Sequence, residues 1–85
     1  SLPQLSKNLG DLLYRAGRYD EAQEAFDRAA KLAPSLGDDL YFKLGNLACR
    51  RGDMTVARSY WGSALAINPE HALVRANLAG SGAAS

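Results

Sequence analysis

Displaced by 35 positions, this chain falls onto itself. Leu9-Gly10 meets Leu44-Gly45, Leu12 meets Leu47, Arg15 meets Arg50, Gly17 meets Gly52, Ala22 meets Ala57, Ala29 meets Ala64 and Pro34 meets Pro69. Phe26 meets a second aromatic, Trp61, and Leu32 meets Ile67. One shift preserves small, bulky and turn-forming residues together, which is the signature of stacked supersecondary units, each too small to bury its apolar face alone.

Within each unit the apolar spacing is helical. Leu5, Leu9, Leu12, Leu13 and Ala16 predict a core stripe on a first helix. Ser1 is its expected cap, with Pro3 in the first turn and Gln4 completing a capping box. Gly17 ends the run, and Ala22, Ala25, Phe26, Ala29 and Leu32 form a second. Leu40, Tyr41, Leu44, Leu47 and Ala48 repeat the first stripe, Gly52 breaks it, and Asp53 is placed to cap the run through Val56, Ala57, Tyr60, Trp61, Ala64 and Ile67. Asp38 and Asp39 are read as caps where the third helix begins. Asn68-Pro69 predicts the cap and first residue of a fifth helix over 69–79, carrying Leu73, Val74 and Leu78. The expected organisation is one all-α domain over 1–79, with repeat one at 3–36, repeat two at 38–71 and a partial third repeat or capping helix at 69–79. Residues 80–85 are expected to form a flexible tail.

Composition removes several classes of function. Ten basic and nine acidic side chains leave a net charge of +1, so no broad field attracts nucleic acid or an anionic membrane. No apolar run reaches the roughly 18–20 residues that span a bilayer, and no signal peptide is visible at the start. Cys49 is the single cysteine, which excludes an intrachain disulfide and suits a reducing, cytoplasmic setting. One histidine, His71, with no Cys or His spaced to help it, gives no metal site, and no nucleophile or acid–base set can be assembled. The expectation is therefore a non-enzyme with no cofactor, no nucleic-acid partner and no membrane partner.

The ordered set Leu9-Gly10, Gly17, Tyr19, Ala22, Phe26, Ala29, Pro34, followed by Tyr41, Leu44-Gly45, Gly52, Ala57, Trp61, Ala64, Pro69, resembles the tetratricopeptide repeat family over nearly the whole chain. Leu78-Ala79 opens a third copy, with alanine in place of glycine. Ser6 stands where the first unit would carry an early aromatic, and Ala48 and Met54 replace aromatics around the second turn. The resemblance implies a right-handed α-solenoid of antiparallel helix hairpins, about two and a half repeats in five helices. It also implies a module that binds a protein or peptide on the concave face, which the first helix of each pair lines.

Helical spacing assigns candidate residues to that face: Lys7, Asp11, Tyr14 and Arg15 on the first helix, and Phe42, Lys43, Asn46 and Arg50 on the third. Phe42 is either an outward-facing anchor or a core residue packed on its neighbours. Some relatives bind chaperone C-terminal carboxylates with lysines, arginines and asparagines on this face. Only Lys7 matches that set, since Asp11, Lys43, Leu73 and Asn77 depart from it, so that ligand is disfavoured. The alternative is a structural segment of a longer solenoid, with Leu73, Val74 and Leu78 forming a packing edge and a homo-oligomer through the fifth helix.

Overall fold

The computed structural model describes residues 1–83, with the side chains described through Gly80. Among these residues there are five helices and no strand: α1 (Leu2–Arg15), α2 (Tyr19–Leu32), α3 (Asp38–Arg50), α4 (Met54–Ile67) and α5 (Ala72–Ala83). The chain divides into two compact units, Ser1–Leu36 and Gly37–Ser85.

Each unit is built on a hairpin that closes in the same way. Gly17 (φ 79°) and Gly52 (φ 81°) adopt the left-handed conformation in which a side chain would be strained. The chain then folds back on the helix it has left. Arg18 N–H donates to the Leu13 carbonyl at 2.9 Å and Gly17 N–H to that of Tyr14 at 3.1 Å. Asp53 N–H donates to Ala48 and Gly52 N–H to Cys49, both at 3.0 Å. These paired bonds are a Schellman ending, which satisfies carbonyls a helix terminus would otherwise strand. Asp53 then starts α4, its Oδ1 accepting from Val56 N–H at 3.2 Å. Ser1 caps α1 by accepting from Gln4 N–H at 3.4 Å, but Gln4 donates its side-chain amide to Asn8 Oδ1 at 2.9 Å, so only half of the expected capping box forms.

Between the helices of each hairpin the contact is a glycine against an aromatic ring. A Cβ on Gly10 would lie 2.6 Å from the Phe26 ring. A Cβ on Gly45 would clash with the Cδ1–Nε1 edge of the Trp61 indole. Phe26 and Trp61 are buried, with Ala22, Ala25 and Ala29 on α2 and Ala57 and Ala64 on α4. In the second unit, Ala48, Ala57, Trp61, Ala64 and Val74 form one cluster, which joins α5 to the hairpin. Trp61 Nε1 donates to the Phe42 carbonyl at 3.3 Å, satisfying the indole N–H at the edge of that cluster.

Three expectations are corrected. Leu5, Leu9 and Leu12 are exposed rather than core. α1 meets α2 through its small-residue face, where Ser6 and Gly10 are buried, because only small groups admit the Phe26 ring so close to the helix backbone. The fifth helix begins at Ala72, not Pro69. Asn68 uses its Oδ1 to accept from Glu70 N–H at 3.2 Å, which holds 68–70 in a turn, and His71 Nδ1 takes the capping role by accepting from Val74 N–H at 3.3 Å. The expected tail at 80–85 is helical through Ala83, where no proline interrupts the backbone ladder; positions 84–85 lie outside the described residues.

Gly45→Ala should lower unfolding free energy by about 1–3 kcal/mol, because the indole or the helix must move. Gly62→Ala, on α4 with open space around its Cβ position, should raise it by about 0.5–1 kcal/mol. Urea denaturation of the two variants beside the parent checks both signs.

Candidate functional site

On α1, Lys7 Nζ and Asp11 Oδ2 pair at 3.1 Å, each side chain mostly buried. Their i,i+4 spacing puts both on one face of the helix. Tyr14, one turn on, is half-buried, its ring edge-on to Tyr19 at 5.7 Å and tilted on Phe26 at 6.4 Å. Arg15 is exposed at the helix end. The first-unit row is thus an ordered ion pair next to an aromatic shelf whose inner edge rests on the hairpin core.

On α3, Lys43 Nζ pairs with Asp39 Oδ2 at 3.1 Å, again at i,i+4. Asn46 Oδ1 accepts from Asn77 Nδ2 of α5 at 3.4 Å, and Arg50 is exposed. Phe42 is the residue whose environment differs most from an open anchor. It is half-buried, packs on the second unit's core, and lies 4.9 Å from the His71 ring. Of the two readings open for Phe42, this packing is nearer the core one, and the cause is local: the turn into α5 brings His71 against the ring. Cys49, taken as a partly buried small residue, is exposed near the end of α3.

A cluster that spacing alone did not reveal joins the start of α3 to the α4–α5 connection. Asp38 Oδ2 accepts from Asn68 Nδ2 at 3.0 Å and lies 3.8 Å from His71 Nε2. Because Nδ1 of His71 accepts the Val74 N–H, a neutral ring carries its proton on Nε2, facing Asp38. Asn68 holds the Asp38 carboxyl below its ordinary value; partial burial opposes this, and the backbone N–H groups and His71 reinforce it. Asp38 was expected to cap α3. Instead Gly37 occupies the N-cap position without a side-chain bond, and Asp38 is a first-turn residue tied to the α4–α5 connection.

Of the edge assigned to the fifth helix, Leu73 is 62% exposed, Leu78 is partly buried against the core, and Val74 is fully buried within it. Val74 therefore belongs to the core of the unit and not to an outer edge.

Antiparallel hairpins with a glycine–aromatic seam, repeated at a fixed period, define a helical-repeat protein. Among the described residues no group of three or more His, Cys, Asp and Glu is arranged to hold a metal ion, and no helix is long and apolar enough to cross a membrane. The tetratricopeptide repeat family model matches residues 7–72, and the chain belongs to that family. Tetratricopeptide repeats generally mediate protein–protein interaction and are typically non-catalytic. No curated protein matches the chain.

Above the ordinary aspartate pKa, about 3.9, the interactions of Asp38 contribute their full stabilisation. This contribution is lost as pH falls through the lower folded value. Asp38→Asn should be less stable than the parent at neutral pH, with the gap narrowing below pH ~3.9; a gap independent of pH in urea titrations would contradict the assigned network.

Proposed function

We propose that this chain binds an extended or helical segment of another protein through the polar first-helix rows of its repeats. The residues are Lys7, Asp11, Tyr14 and Arg15 on α1, and Lys43, Asn46 and Arg50 on α3, with the exposed part of Phe42 beside them. The observation that carries this reading is the pair of i,i+4 ion pairs, Lys7–Asp11 and Asp39–Lys43, each ordered at 3.1 Å on the corresponding helix of its unit. Side chains already held in place lose less rotamer freedom when a partner docks, so more of each contact is retained as affinity. Tyr14 and Phe42 add partly covered aromatic surface beside those charges. The rows contain both signs of charge and amides, which suits a mixed-charge peptide backbone and side chains better than a single anionic terminus.

A second reading, a structural segment that associates through α5, rests on Leu73 alone, since Val74 lies in the core.

Selection of a displayed random-peptide library on the chain should yield ligands whose affinity falls about tenfold or more, roughly 1.4 kcal/mol, with Lys43→Glu or Arg50→Glu. Glu24→Lys on α2 should leave it unchanged. Calorimetry checks both. Equal sensitivity to the α2 variant would reject the assigned rows.

A further inference from the structure

His71 is the chain's single histidine, and its two ring nitrogens have partners that favour opposite charge states. Nδ1 accepts from Val74 N–H at 3.3 Å, the bond of a helix N-cap to the third residue of its helix. That bond requires an unprotonated Nδ1, since an imidazolium carries N–H on both nitrogens and accepts at neither. Nε2 lies 3.8 Å from Asp38 Oδ2, too far for a hydrogen bond but close enough for the carboxylate to attract a charged ring. The His71 side chain is only 14% exposed, so water does little to replace either partner.

The cap matters to α5 because that helix has little else at its start. α2 and α3 begin without a side-chain cap, but Asp20 and Glu21 on one and Asp38 and Asp39 on the other complement the helix dipole. α5 has no acidic residue in its first turn and no basic residue in its last. It is 12 residues long and contains Gly80, which makes it a weak helix on local grounds. The donor residue, Val74, is fully buried in the cluster that joins α5 to its hairpin, so an N–H released there is left without a ready substitute.

The charged groups of the surrounding elements single out Asp38 as the partner of a charged ring. On α3, Asp39 is paired with Lys43; Glu70, in the turn, is paired with Arg75 of α5; and the last turn of α4 carries no charge. We propose that His71 is a proton-operated cap: neutral, it closes the start of α5; protonated, it releases Val74 N–H and pairs with Asp38, loosening the first turn of α5. Histidine changes charge between about pH 5 and 8. Asp38 stays ionised over that range, because its bond from Asn68 holds the carboxyl below its ordinary value. The positive ring also opposes the dipole at the start of α5, which adds to the loosening. This inference concerns α5 itself and does not rest on the peptide-binding reading.

Nitrogen-15 NMR of the whole chain between about pH 8 and pH 5 tests it. At the upper end the ring shifts should report a proton on Nε2 and none on Nδ1. As the ring titrates, protection of the Val74 amide against hydrogen exchange, taken relative to an unstructured chain at the same pH, should fall about tenfold or more. Protection of Ala64, buried in the same cluster, should hold. His71→Asn supplies a capping oxygen that does not titrate, so it should keep Val74 protected at both ends of the range. His71→Ala should leave Val74 weakly protected at both. A proton on Nδ1 or an unprotected Val74 near pH 8, Val74 protection that does not follow the ring's titration, or the parent's pH response persisting in His71→Asn would each overturn the proposal.

Discussion

The close approach of a glycine backbone to an aromatic ring is the constraint on which the rest of this molecule depends. Gly10 under Phe26 and Gly45 under Trp61 set how near the two helices of each hairpin come. That distance dictates alanine at Ala22 and Ala29 and at their counterparts Ala57 and Ala64, all buried, since larger side chains would hold the helices apart. It also decides which side of each first helix faces inward. The small-residue face is consumed by the hairpin, and the remaining sides are left for neighbours and partners.

The division of labour around α1 follows from that choice. One side meets α2, one carries the Lys7–Asp11 pair and Tyr14, and one carries the leucines. In the second unit α3 presents the same sides, but there the leucine positions are covered and α5 adds Asn77 against Asn46 and His71 against Phe42. The polar cluster of Asp38, Asn68 and His71 ties the start of α3 to the start of α5. Repetition of the hairpin therefore keeps the glycine–aromatic seam, with Phe26 in one unit and Trp61 in the other, and varies in what surrounds it.

The hairpins were legible in the sequence because their determinants are local: a 3.6-residue period, a glycine at each left-handed turn, and an alanine or glycine opposite each aromatic. The inward side of α1 was not. Four leucines make the most apolar stripe on that helix, and periodicity reports that such a stripe calls for cover without reporting what supplies it. The beginning of α5 was misjudged for a related reason. Asn-Pro is a helix-start signal, yet Asn68 is bonded to Asp38, 30 residues earlier, and to Glu70 in its own turn, leaving His71 to cap the helix. The cover of Phe42 comes from that same turn, through His71, 29 residues later. Each miss arises where a contact distant in sequence outweighs a local preference.

In the proposed function the first-helix rows, and not the second helices, meet the protein partner. Cross-saturation NMR on the chain bound to a library-selected peptide tests it most directly. Saturation transferred from the peptide should reach backbone amides around Lys7, Asp11, Lys43, Asn46 and Arg50 and leave those at the centres of α2 and α4 unaffected. Transfer concentrated on α2 and α4, with the α1 and α3 rows silent, would contradict the account.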